Sequence, residues 1–158
     1  MDAPAHIIVG GKTLDALHVN TFHGEALCLH VKEKKITQEF LRTHADALKE
    51  VDFVLFASGW DAYWGEEKYF KNFPTLDVQA AQYLCTFALK GIGLDMISID
   101  PVEDEALPIH HIILGEGMVI IENLKNLPTL HNHIIVSALP LHVKDAYGAP
   151  VRAVALLE

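Results

Sequence analysis

His110 and Glu122 are the pair in this sequence with the strongest claim to chemistry. Glu122 ends the apolar run Met118-Val119-Ile120-Ile121. A carboxylate among such neighbours is costly to desolvate unless charged partners or a metal hold it. His110 stands twelve positions earlier, ahead of Ile112-Ile113-Leu114 and the glycines Gly115 and Gly117. A short helix, a glycine turn and a strand over that interval would return the chain and bring the two side chains together. The spacing alone is a weak signal and more often marks a structural pair, a helix-end histidine against a strand-end glutamate. A second group, Asp2, Pro4 and His6, stands at the first residues with no preceding strand to hold it. Chain ends fray unless tied down. Either the fold or a partner subunit clamps this end, or the chain lacks a segment that it was built to have.

The sequence holds ten histidines, and most have a plainer reading. His18, His23 and His44 fall in loops or on a polar helix face and read as solvated side chains. His142, after Pro140-Leu141, reads as a surface residue at a strand end. His131-Asn132-His133 lacks the rest of a ββ-metal finger. In a strand its two histidines would share a face, enough for an adventitious ion and no more. Cys28 and Cys85 cannot form a disulfide scaffold or a four-cysteine zinc site, and both read as core thiols.

The elements that must position these residues are short. Ile7–Val9, Ala26–Val31, Phe53–Ala57, Leu94–Ile99, Met118–Ile121, Ile134–Leu139 and Val151–Leu156 read as strands, with Phe53–Ala57 apolar throughout as in a strand buried on both faces. Two amphipathic segments read as helices. One runs from Thr37 to Glu50 with Thr37 as N-cap, and the other from Val78 to Lys90 with Asp77 as N-cap and Gly91 as the glycine beyond its end. Strands interleaved with helices predict an α/β domain. Phe53–Ala57, Leu94–Ile99 and Met118–Ile121 are expected as buried strands of one sheet.

The 158 residues are one domain's worth of chain, able to bury about 70% of its surface. With 51% hydrophobic residues and a mean hydropathy of +0.22 the chain is not a disordered one. A net charge of −9 argues against a nucleic-acid surface and against binding to an anionic membrane. Acidic Asp2 stands where a signal peptide needs basic residues, and no apolar run approaches the ~20 residues of a bilayer span. A cytoplasmic location is the expectation.

Several blocks carry a resemblance to a known family. Asp2-Ala3-Pro4-Ala5-His6, followed by Gly10-Gly11-Lys12-Thr13, resembles the second half of the H-x-G-T-H-x-D-x-P-x-H signature of the cyclase family of metal-dependent hydrolases. That family includes bacterial kynurenine formamidases and isatin hydrolases. Ser58-Gly59-Trp60-Asp61-Ala62-Tyr63-Trp64 resembles its T-G-W-x-x-Y-W stretch, and Ile99-Asp100 its I-D before the substrate loop. His110 through Leu127 resembles its H-x-x-L-L-x-x-G-x-x-I-x-E-x-L-x-N-L block. Ala138-Leu139-Pro140-Leu141 and Gly148-Ala149-Pro150-Val151-Arg152-Ala153 resemble its closing strands. Ala57-Ser58 departs from the Arg-Thr usual there, and the H-x-G-T-H half of the signature would fall before Met1.

The resemblance implies a swivelling β/β/α-type domain over residues 1–158, with a mixed, barrel-like sheet flanked by helices and truncated at its N-terminus. It makes Asp2 the metal-bridging aspartate, His6 the catalytic histidine, and His110 and Glu122 ligands of the second metal. Such ligands suit zinc or manganese. With the H-x-G-T-H histidines absent, at most one tightly bound ion is expected, together with weak or no activity of this chain alone. The implied reaction is amide hydrolysis on a small molecule, N-formylkynurenine first. A cyclic amide such as isatin, or a non-catalytic role in subunit pairing, are the alternatives. A dimer or tetramer is expected, because a sheet lacking a flank exposes an edge and apolar surface.

Overall fold

The computed structural model describes residues 1–157. In chain order its elements are β1 (His23–His30), β2 (Lys35–Ile36), α1 (Gln38–Arg42), α2 (Ala45–Leu48), β3 (Phe53–Ala57), β4 (Thr75–Leu76), α3 (Val78–Leu84), β5 (Gly91–Leu94), α4 (Pro108–Gly115), β6 (Val119–Ile121), β7 (His133–Ser137) and β8 (Val154–Leu156). Six strands form one mixed sheet in the order β6-β5-β3-β1-β7-β8. β6, β5, β3 and β1 are parallel neighbours, while β7 pairs antiparallel with both β1 and β8. β2 and β4 make a separate parallel pair. This is the α/β class that the alternation of strands and helices implies.

β3 shows how the apolar pattern builds two cores. All five of its residues are buried. Val54 and Phe56 join the cluster beneath α1, α3 and α4, with Leu41, Leu84 and Ile113. Phe53, Leu55 and Ala57 point to the other face, with Leu14, Phe22, Leu127 and Val136. Each fully buried side chain of this size contributes about 1.5–3 kcal/mol, so the central strand is a large part of what holds the sheet.

The sheet curls. Asp2 forms antiparallel bridges to Ile120 on β6 and to Gly148, in the segment that leads into β8. Leu55 of β3, Ile121 of β6, Val136 of β7 and Ala155 of β8 consequently line one cavity. Among the described residues no helix is long and apolar enough to cross a membrane.

Several boundaries differ from the sequence reading, each for a local reason. Ile7–Val9 is not a strand. Pro4 starts a one-turn 3-10 helix over Pro4–His6, Ile8 N donates to Pro4 O, and Gly10 turns the chain with φ +77°. The helix expected over Thr37–Glu50 has its cap, since Thr37 Oγ1 accepts from Phe40 N, but it breaks into α1 and α2. The Thr43 hydroxyl donates to Phe40 O, competing with the backbone ladder as such residues do inside helices. Asp77 caps α3 by accepting from Ala80 N, yet α3 stops at Leu84. Lys90 N donates to Asp52 O, which draws the chain into the sheet. Gly91 is therefore no helix-ending glycine. It opens β5, where a Cβ would lie 2.6 Å from Val119 O.

Leu94 is the last residue of β5, and residues 95–99 leave the sheet, though Leu94, Asp95, Met96 and Ile99 are all buried. The cause is the Asp95 carboxylate, which accepts from Ser58 N, Ser58 Oγ and Gly59 N and ties this turn to the end of β3. Val151 makes only an isolated bridge to Pro140 before β8 begins.

Candidate metal centre

The first parallel strands end on one side of the sheet, where open α/β sheets place their ligands. Glu122 follows the end of β6 directly, and Asp100 lies in the segment after β5. α4 brings His110 to the same place. Its first turn is held by Asp100, whose Oδ1 accepts from Ile109 N (3.0 Å) and whose Oδ2 accepts from His110 N (2.9 Å). A carboxylate is at home there, among the unpaired amides and positive end of a helix N-terminus. After α4 the chain reverses at Gly117, whose φ of +83° suits glycine. β6 then delivers Glu122. The helix, glycine turn and strand expected between His110 and Glu122 are all present.

Asp2 reaches the same point from the other end of the chain. Asp2 N donates to Ile120 O, Ile120 N to Asp2 O, Ala3 N to Tyr147 O and Ala149 N to Met1 O. The fold itself clamps these first residues. One ligand atom each of Asp2, His110 and Glu122 lie within 4.8 Å of one another. His6, on the one-turn helix that follows, is exposed, with its ring 6.4 Å from that of His110 and 6.5 Å from that of Tyr147.

The electrostatics are those of a site with too much negative charge for its burial. His110 Nδ1 lies 2.7 Å from Asp100 Oδ2, and Nε2 lies 3.4 Å from Glu122 Oε1. The second contact is too poorly aligned for a hydrogen bond, and the buried Glu122 Oε1 has no hydrogen-bond partner among the described residues. Burial works against a charged His110, but the Asp100 and Glu122 carboxylates outweigh it and push the imidazole up to about 9. Burial raises the Glu122 carboxyl, with the Asp2 charge adding to the rise against the pull of His110. Burial also works on Asp100, but the His110 ring and the two amides hold it below the usual carboxylate range. An orphaned buried carboxylate oxygen, beside an imidazole nitrogen and a second carboxylate, fits a divalent ion of the zinc or manganese kind.

Beside this cluster opens a cavity of about 1180 Å³ on the sheet face opposite the helices. Asp2, His6 and Glu122 line it together with Tyr147, and Lys125 and Arg152 bring positive charge to its wall. The other histidines stay apart. His18 caps a 3-10 turn by accepting from Asn20 N, His44 packs on Phe40, and His23, His30, His111, His131, His133 and His142 are exposed. Asp100, Asp95 and Tyr147 are the residues of this region whose roles the sequence reading missed. No spacing rule connects Asp100 to His110. Only the ending of β5 and the start of α4 put them in contact.

A curled mixed sheet, helices on one face and a buried imidazole set among carboxylates at its end define an α/β protein with a candidate centre for a divalent ion. The chain belongs to the cyclase family, whose model, described as "Putative cyclase", matches residues 1–101. It is 30% identical over 154 residues to a kynurenine formamidase of Geobacillus thermodenitrificans, spanning 97% of this chain and 72% of that protein. A kynurenine formamidase of Bacillus thuringiensis is 31% identical, spanning 98% of this chain and 72% of its own length. Among solved structures, a "Potential Metal-Dependent Hydrolase With Cyclase Activity" superposes with a TM-score of 0.83 at 27% identity, over 98% of this chain and 75% of that one. Isatin hydrolase A from Ralstonia solanacearum shares the fold, with a TM-score of 0.85 at 24% identity over 99% of this chain and 70% of that one.

Proposed function

We propose that this chain is a metal-dependent amide hydrolase of small molecules, with N-formylkynurenine as its first substrate and formate and kynurenine as products. The observation that carries the reading is the cluster of Asp2, His110 and Glu122 at the mouth of a large cavity, in a chain about 30% identical to kynurenine formamidases over almost its whole length. The three side chains would hold one zinc or manganese ion, and they are the one such cluster among the described residues. An ion of this kind polarises a carbonyl oxygen and lets water ionise near neutrality.

His6 would supply the proton chemistry. Exposed on the cavity wall, it takes a proton from the attacking water as the carbon–oxygen bond forms. It returns that proton to the leaving nitrogen as the carbon–nitrogen bond breaks. Lys125 and Arg152 give the cavity positive charge to receive the carboxylate of this zwitterionic substrate. The likeness to isatin hydrolase in fold keeps a cyclic amide as the second reading.

Self-association and a cytoplasmic location belong to the same proposal. β8 is an edge strand, and its Val154 and Leu156 are 44% and 52% exposed, surface that a second copy would cover. Both cysteines are free thiols, as suits a reducing compartment. Assay of the zinc- or manganese-loaded chain on N-formylkynurenine and on isatin tests the reading. Slow formate release from the first, lowered about 10²–10⁴-fold by His6→Ala, is expected. Equal rates for the wild type and His6→Ala would overturn the role of His6, and turnover of isatin alone would move the substrate to the cyclic amide.

A further inference from the structure

Asp100 is wholly buried, and its two oxygens face three nitrogens. Oδ1 accepts from Ile109 N at 3.0 Å, Oδ2 accepts from His110 N at 2.9 Å, and the same Oδ2 lies 2.7 Å from His110 Nδ1. The two amide contacts alone would make Asp100 a cap for α4. The third is of another kind, because it engages the ring that faces Glu122. A bare Nδ1 lone pair at 2.7 Å from an ionised oxygen would be repelled, so this nitrogen must carry the hydrogen and donate it. A neutral imidazole has only one such hydrogen. Nε2, 3.4 Å from Glu122 Oε1, is then left with its lone pair on the side of Glu122 and Asp2.

We propose that Asp100 is the positioning residue of the candidate centre, locking His110 in the Nδ1–H tautomer and presenting Nε2 as a ready ligand. The inference rests on the reading of Asp2, His110 and Glu122 as an ion site. It also says why a carboxylate is needed at position 100. Asparagine has the same shape but only one acceptor oxygen. Whichever way its amide turned, an NH₂ group would face either Ile109 N–H or the two donors of His110.

Two measurements test this. The first needs no variant: two-bond ¹H–¹⁵N ring correlations of His110 in the EDTA-stripped wild-type chain, at a pH high enough for a neutral ring, assigned by their loss in His110→Ala. A protonated Nδ1 and an unprotonated Nε2 are expected, and the opposite tautomer would overturn the proposal whatever the variants do. The second is Zn²⁺ affinity, where Asp100→Asn should bind about 10–100-fold more weakly than the wild type, the usual effect of losing such a partner. An Asp100→Asn chain that binds Zn²⁺ as tightly as the wild type would also overturn it. Should that variant fail to fold, the wild-type tautomer decides. A wild-type chain that binds no Zn²⁺, or a His110→Ala chain that binds it equally well, would instead remove the ion-site reading, and the tautomer would still judge Asp100.

Discussion

Asp2 and Ile120 exchange both backbone hydrogen bonds, Asp2 N to Ile120 O at 2.8 Å and Ile120 N to Asp2 O at 3.2 Å. This pairing adds a residue of antiparallel strand to the edge of β6, two positions before Glu122. It is what turns the first residues of the chain into part of a site. The Asp2 carboxylate stands close enough to Glu122 for its charge to raise the Glu122 carboxyl. Held without a cation, the two repel.

Asp2→Asn should therefore separate binding from folding. It keeps the backbone pairing with Ile120 and removes a charge that works against Glu122. Zn²⁺ affinity, measured by competition with a chromophoric chelator, should fall at least about tenfold, equivalent to about 1.4 kcal/mol. The Tm of the EDTA-treated protein should hold steady or rise. An unchanged affinity would take Asp2 out of the ligand set.

The pH dependence of the metal-free protein follows from His110. Its pKa is pushed up to about 9 from an ordinary 6.5, so folding favours the protonated ring. That contribution is complete below pH 6.5 and is lost as the pH rises through 9. The Tm of the EDTA-treated chain should fall from pH 6.5 to 9. The gain in Tm on adding Zn²⁺ should grow over the same range, because an ion at Nε2 must displace the proton. A metal-free Tm that climbs across this window would contradict the pairing of His110 with Asp100 and Glu122.

Two substitutions away from the site probe the scaffold. Asp77→Ala removes the cap on Ala80 N and should cost about 1 kcal/mol. Gly91→Ala places a methyl group 2.6 Å from Val119 O and Val119 Cγ2, forcing β5 and β6 apart at a cost of about 1–3 kcal/mol. Urea unfolding measures both. A Gly91→Ala chain as stable as the wild type would mean that β5 and β6 are not packed as described.

Much of this was legible in the sequence, and the misses share a cause. Phe53–Ala57 could be read as a central strand because its burial is continuous, and Thr37 and Asp77 as caps because capping acts over three residues. Helix lengths were not legible. Where α1 breaks and α3 stops depends on Thr43 turning to Phe40 O and on Lys90 pairing with Asp52, and the second contact spans the fold. The meeting of His110 and Glu122 was foreseeable from the helix, turn and strand between them. That of either with Asp2 came only through family likeness, since it depends on β6 pairing with a residue far away in the chain. Asp100 stands in the Ile99-Asp100 block that carries the family likeness, but its contact with His110 had no local signature.

Ion stoichiometry tests the central claim most directly. The wild type and His110→Ala, saturated with Zn²⁺ and dialysed, would be compared by elemental analysis. The account predicts one ion per chain in the wild type and none in His110→Ala, with the variant still folded by circular dichroism. Two ions per chain, or one retained without His110, would contradict it.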